Sequence, residues 1–207
     1  TCFKISKNIP DNTELPISKA VQAIRRYETL HAHNLQQKTA VMVEYFRAIS
    51  RNKIGGRAKA MVVTASRLHA VRYLQEFRHY IEKMGYTDMD VLVAFSGSLN
   101  IDEEEVTEPK LNKNKDGHHI SENQLPEEFH SDNYNVLIVA DKYQTGFDEP
   151  LLHTMFVDKK LKSVKAVQTL SRVKRTCPGK NDTIILDFVN TAADIKEAFA
   201  PFIEATS

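Results

Sequence analysis

Val136-Leu137-Ile138-Val139-Ala140, then Asp141-Lys142-Tyr143-Gln144-Thr145-Gly146-Phe147-Asp148, then a helical pattern carrying Gln168, Arg172 and Arg175, is the stretch whose reading decides the fold. An uninterrupted apolar run of strand length that ends in a polar turn reads as a strand buried on both faces, the signature of a parallel sheet. On a helix, spacings of four and seven residues return to nearly the same direction. An amide and two guanidinium groups therefore project together from the segment Val164 to Arg175. Fixed cations beside a polar strand-end turn suit a polyphosphate or a nucleic-acid backbone better than a neutral metabolite. Val164, Ala166, Val167, Leu170 and Val173 remain for burial on the opposite side.

Working outward, the same grammar repeats. Ala60 to Thr64, Val91 to Phe95, Thr154 to Val157 and Thr183 to Phe188 are short apolar runs, and helical stripes alternate with them. Ser66 is placed to cap a helix bearing Leu68, Val71, Leu74, Phe77, Ile81 and Met84, and Gly85 stops it. A last helix is expected over Ala192 to Phe202, and Pro178-Gly179 makes the turn before the strand at Thr183. This is an α/β pattern: a mostly parallel sheet with helices on both faces, joined by right-handed crossovers.

Two regions depart from it. Residues 1–57 read as a helical lead-in of two helices set apart from the main fold. One is capped by Ser18, with Val21, Ile24 and Leu30 facing inward. The other is capped by Asn34 with Gln37, carries Leu35, Met42, Tyr45, Phe46 and Ile49, and ends near Asn52 before the break at Gly55-Gly56. Residues 58–207 form the domain proper, and within them residues 99–134 are polar and lack an apolar period. That stretch is expected to be an exposed insertion with one short helix around Glu122 to Phe129, whose loss would cost the sheet little.

The 207 residues carry 28 Lys and Arg against 27 Asp and Glu, so net charge neither announces nor excludes a nucleic-acid partner. Two cysteines, Cys2 and Cys177, define neither a disulfide framework nor a zinc pattern and suit a cytoplasmic protein. No apolar run approaches the roughly 20 residues that span a bilayer. His31, His33, His118 and His119 lack a partner carboxylate or thiolate at ligand spacing, so they read as capping or surface histidines and no metal site is expected. The chain opens on Thr1, which suggests a piece of a longer protein. Ligands of open α/β sheets gather at the carboxyl ends of strands. The turns there are Ala65-Ser66-Arg67, Ser96-Gly97-Ser98, Asp141 to Asp148 and Asp158-Lys159-Lys160, which can equally be polar simply because they are exposed.

The order and wording of these segments resemble the second RecA-like motor domain of superfamily two helicases and translocases, most closely that of the motor subunit of type I restriction enzymes. The residues that carry the resemblance are Lys59 to Thr64 with Ser66-Arg67, Val91 to Gly97, Val136 to Ala140, Gln144 to Leu152, Val157 to Leu161, Ala166 to Thr176, Pro178-Gly179-Lys180 and Leu186 to Val189, with His33-Asn34 and Gln37-Lys38 in the lead-in. The resemblance implies a RecA-like three-layer fold in an ATP-dependent translocase of double-stranded DNA. It implies that Arg172 and Arg175 act as arginine fingers toward the γ-phosphate of ATP, with Gln168 coupling nucleotide state to movement. Gly146 and Asp148 would serve the nucleotide side, and Thr64, Ser66, Arg67, Ser96, Gly97 and Thr145 the DNA backbone. Such backbone contacts carry no sequence information.

The sequence contains no Gly-x-x-x-x-Gly-Lys-[Ser/Thr] loop and no Asp-Glu strand end, so ATP and Mg2+ are expected to be held mainly by a first RecA-like domain outside this chain. The nuclease residues of the restriction family are missing too, and the fragment alone is expected to be inactive. Implied partners are duplex DNA, the first RecA-like and nuclease domains of one parent chain, and the modification and specificity subunits. An equivalent half-motor of another superfamily two helicase, or a non-catalytic nucleotide or nucleic-acid binding module, are the alternatives.

Overall fold

In the computed structural model, residues 30–143, 147–161 and 168–190 are described. The helix expected from Ser18, the terminal helix from Ala192, and Gln144, Thr145, Gly146, Val164, Ala166 and Val167 fall outside them.

Five parallel strands make the sheet: β1 (Lys59–Thr64), β2 (Val91–Phe95), β5 (Val136–Ala140), β6 (Leu152–Asp158) and β7 (Ile184–Asp187), in the order β2-β5-β1-β6-β7. Side chains alternate between the two faces, as a strand demands. Ala60, Val62, Val91, Val93, Phe95, Val136, Ile138 and Phe156 enter one core cluster; Met61, Val63, Leu92, Ala94, Leu137, Val139, Met155 and Val157 enter the other. The uninterrupted apolar runs in the sequence are the direct result: both faces are covered.

Helices α1 (Ala32–Ala48) and α2 (Arg67–Met84) cover the first face. Ser66 caps α2, its Oγ accepting the His69 N–H at 3.3 Å. Gly85 ends it with φ 67°, a left-handed cap that glycine adopts without strain. Helix α1 starts two residues before the expected Asn34 cap, because His31 Nδ1 accepts the His33 N–H at 3.3 Å. Its Leu35, Met42, Val43 and Phe46 lie in the same cluster as the sheet. The described part of the lead-in is therefore a wall of the main core, not an appendage beside it.

The polar stretch after β2 also differs from expectation. It opens with a hairpin of β3 (Ser98–Ile101) and β4 (Glu104–Thr107), turning at Asp102 and Glu103 with φ 49° and 68°. Two short helices follow, α3 (Glu108–Leu111) and α4 (Leu125–His130). Ile120, Leu125 and Phe129 are 0–2% exposed in the second core cluster. At about 1.5–3 kcal/mol for each large apolar side chain removed from water, the sheet depends on this segment.

The segment also closes the sheet's first edge. Among the described residues strand β2 has a neighbour on one side only, so every second backbone group points outward. The outward N–H groups of Val91, Val93 and Phe95 each meet a side-chain oxygen: Asp90 Oδ1 at 2.8 Å, Asn112 Oδ1 at 3.0 Å and Glu108 Oε2 at 2.8 Å. Asn112 also donates from Nδ2 to the Val93 carbonyl at 2.7 Å, completing a strand-like pair with one side chain.

Candidate functional site

The carboxyl ends of β2, β5, β1 and β6 bring together the turns singled out in the sequence. Arg67, the first residue of α2, sends Nη1 to the carbonyls of Ser96 (3.3 Å) and Ser98 (2.8 Å), tying the turn after β1 to the turn after β2. Gly97 sits under that guanidinium with φ 75°, and a Cβ there would stand 3.1 Å from Arg67 Nη1. Arg67, Ser96 and Gly97 are exposed. They form one continuous polar ledge.

Thr64 does not join it. Its side chain is 1% exposed and its hydroxyl donates to the Val139 carbonyl at 2.8 Å, so it joins β1 to β5 instead of facing a ligand. Burial follows from its register as the last residue of β1, opposite Asp158. The Ser66 hydroxyl is engaged with His69 on both the backbone N–H and Nδ1, the latter at 2.7 Å.

The helix expected to run to Arg175 does not reach it. Residues 168–170 are helical, Ser171–Lys174 tighten into a 3-10 turn, and Arg175 is extended. Lys180 explains the change of direction: its Nζ donates to the carbonyls of Pro150 (3.2 Å), Leu152 (2.7 Å) and Arg175 (2.6 Å), turning the Arg175 carbonyl away from a helical path. Pro178-Gly179 then reverses the chain, with Gly179 at φ 84°. Leu170 and Val173 are buried as expected, and Gln168 is exposed.

The two arginines still converge, on Phe147 and Asp148. Arg172 Nη1 donates to the Phe147 carbonyl at 2.8 Å, and Arg175 Nε pairs with Asp148 Oδ1 at 3.4 Å. Arg172 is partly buried; desolvation, then repulsion by Arg175, lowers its pKa, and Asp148 opposes the shift. Arg175 and Asp148 are 56% and 65% exposed, so their pair is worth little and opens easily toward a competing anion. Arg172 is the preset group and Arg175 the movable one. Among the described residues no group of three His, Cys, Asp or Glu side chains is placed to hold a metal ion.

Lys142, Glu108 and Glu149, to which the sequence reading gave no role in the site, organise it. Lys142 Nζ reaches Glu108 Oε2 at 2.8 Å and Glu122 Oε2 at 2.9 Å. Glu149, 3% exposed, accepts from the Leu151 N–H at 3.0 Å and meets His130 Nδ1 at 3.0 Å. Burial raises the Glu108 pKa, an effect that Lys142 opposes. These pairs join residues 19 to 34 positions apart, beyond the reach of local patterns. The expected turn residues Thr145 and Gly146 lie outside the described residues.

A family model described as domain 3 of the type I restriction enzyme subunit R matches residues 118–190. A Methanocaldococcus jannaschii protein, provisionally named as the type I restriction enzyme MjaVIIP endonuclease subunit, is 36% identical over 149 residues, covering 69% of this chain and 14% of that protein. The type I restriction enzyme HindI endonuclease subunit of Haemophilus influenzae is 34% identical over 79 residues, 37% of this chain and 8% of the relative. The chain thus spans about a seventh or less of these relatives.

Among solved structures, a fragment from Vibrio vulnificus, provisionally named as the HsdR subunit of a type I restriction enzyme, shares the fold. Its TM-score is 0.55 at 16% identity, covering 82% of this chain and 29% of that one. T4 UvsW gives a TM-score of 0.50 at 11% identity, covering 97% of this chain and 37% of that one. The chain is thus similar in sequence to the R, or endonuclease, subunits of type I restriction enzymes, over residues 118–190 in the family model and over 149 residues in the relative, and it shares its parallel α/β fold with the Vibrio vulnificus fragment.

Proposed function

We propose that residues 58–207, with α1 packed on them, are the second RecA-like half of an ATP-driven translocase of double-stranded DNA within a type I restriction enzyme. The observation that carries this reading is the convergence of Arg172 and Arg175 on Phe147-Asp148, one guanidinium fixed by a carbonyl and the other held by an exposed, weak ion pair. Two cations gathered on one turn fit the triphosphate of a nucleotide. ATP and Mg2+ are assigned mainly to a first RecA-like domain, since this sequence carries no phosphate-binding loop.

In this reading ATP supplies the free energy for movement. Arg172, oriented by the Phe147 carbonyl, faces the γ-phosphate side, and Arg175 leaves Asp148 to join it. Gln168, exposed beside them, senses the nucleotide. The ledge of Arg67, Ser96 and Gly97 meets the DNA backbone, Thr145 extends that contact, and Ser66 holds the ledge by capping α2. Thr64 acts from inside, fixing β1 to β5. The modification and specificity subunits, and the nuclease domain of the parent chain, would complete the enzyme.

The test is DNA-stimulated ATP hydrolysis by the complete R subunit. An arginine acting on a phosphoryl transition state is worth about 10³–10⁵ in rate, so R172A should lower kcat by that order and R175A should also fall steeply. Turnover left unchanged by both substitutions would overturn the assignment. Duplex binding should be sequence-blind and weaken steeply with salt; tight binding to one defined sequence would contradict translocation.

A further inference from the structure

Of the connection between β5 and β6, Asp141–Tyr143 and Phe147–Glu149 are described; the latter carry Asp148 and the Phe147 carbonyl that fixes Arg172, and both parts are braced by the polar segment between β2 and β5. At its start, Lys142 is drawn to Glu108 Oε2 at 2.8 Å, with Glu122 adding a second, exposed carboxylate at 2.9 Å. At its end, Glu149 meets His130 of α4 at 3.0 Å. Between them, Phe147 lies against Phe129 of the same helix, ring centroids 6.2 Å apart, and stacks on Tyr143 at 4.5 Å. Tyr143 and Asp141 hold positive φ angles of 62° and 53°, conformations that a non-glycine residue keeps only where its surroundings enforce them.

Glu108 is the junction. Its side chain is 1% exposed, and one oxygen, Oε2, serves both the Phe95 N–H on edge strand β2 and the Lys142 ammonium after β5. Its other oxygen, Oε1, has no hydrogen-bond partner among the described residues. A buried carboxylate with one idle oxygen is a costly way merely to close a sheet edge, since an amide would serve the Phe95 N–H equally well. The charge is explained by Lys142.

We propose that Glu108 is a positioning residue for the nucleotide site: it fixes Lys142, the neighbouring Tyr143 stacks on Phe147, and the Phe147 carbonyl orients Arg172. This rests on the translocase reading above. The position of that carbonyl then determines the rate of the chemical step more than the affinity for nucleotide.

The experiment compares E108Q, K142M and the E108Q/K142M pair in the complete R subunit. E108Q retains an acceptor for Phe95, and the pair leaves no buried charge uncompensated, so folding is preserved where K142M alone could fail. Kinetics and Tm are measured together, with V71A, a truncation in the opposite core cluster, as a control for simple loss of stability. Displacing a reacting group by about 1 Å can cost about 10²-fold. E108Q should therefore lower DNA-stimulated kcat by about 10- to 100-fold with little change in KM for ATP. The double variant should be no slower than the slower single, as two members of one interaction require. Full kcat in E108Q, strictly additive losses, or a loss matched by V71A at equal Tm would each overturn the proposal. If R172A abolishes turnover while E108Q does not change it, the translocase reading stands and the positioning role falls; if the wild-type subunit shows no DNA-stimulated turnover, the reading itself falls.

Discussion

Replacing Asn112 by alanine tests the edge of the sheet directly. The Asn112 side chain is fully buried and forms two bonds with one residue, accepting the Val93 N–H at 3.0 Å and donating to the Val93 carbonyl at 2.7 Å. Alanine leaves both backbone groups buried without partners, at about 1–3 kcal/mol each, so the expected loss is about 2–5 kcal/mol. Against a total stability of about 5–15 kcal/mol for a domain, that is a large fraction. Asn112→Asp should lose about as much, because it keeps the acceptor but turns an oxygen toward the Val93 carbonyl. Urea unfolding gives the magnitude, and amide hydrogen exchange at Val93 gives the location. A loss below about 1 kcal/mol with unchanged protection at Val93 would refute the account of the edge, since the two groups would then have other partners.

Two further substitutions probe the interior. Lys59 is 3% exposed, donates to the carbonyls of Ser131 (2.7 Å) and Tyr134 (2.6 Å), and burial brings its pKa down from 10.5 to about 8, against the pull of Glu149 and Asp132. Between those values the unfolded chain holds a proton that the native one lacks, so stability from this group rises with pH, by at most about 1.4 kcal/mol per unit. Wild type should therefore gain about 3 kcal/mol on K59M between about pH 7 and 11 in chemical unfolding, and parallel curves would argue against a depressed ammonium. Thr39, fully buried on α1, has a hydroxyl with no hydrogen-bond partner among the described residues. Thr39→Val should raise stability by about 1 kcal/mol, read as a higher Tm, and a fall would mean the hydroxyl is satisfied in solution.

The sheet was legible because its strands are buried on both faces. Val91 to Phe95 and Val136 to Ala140 are the observed strands to the residue, and the helix from Ser66 to Gly85 has the boundaries its cap and stop predict. What the sequence hid depends on distant partners. Glu108 and Asn112 look like ordinary polar loop residues until β2 turns out to be an edge with three outward N–H groups. Asp102-Glu103 lacks the Asn-Gly wording that announces a tight hairpin. The periodicity of Gln168, Arg172 and Arg175 predicted a helix, yet Lys180 draws the Arg175 carbonyl out of it. The meeting of both arginines at Phe147-Asp148 was not legible: Asp148 stood only as a nucleotide-side residue, and a backbone carbonyl such as that of Phe147 leaves no mark in a sequence.

The strand order also bears on how the chain is made. Strand β1 is flanked by β5 and β6, and β2, the next strand synthesised, is not its neighbour. Thr64 pairs with Asp158, which leaves the ribosome 94 residues later. At about 5–20 residues per second, Lys59 to Thr64 waits about 5–20 s for its last partner. Helices α1 and α2 can shield one face of it meanwhile, but its hydrogen-bonding edges stay open, and β5 must insert between two strands already formed. The nascent chain should be most vulnerable to aggregation during that interval, and chaperone contact should concentrate there.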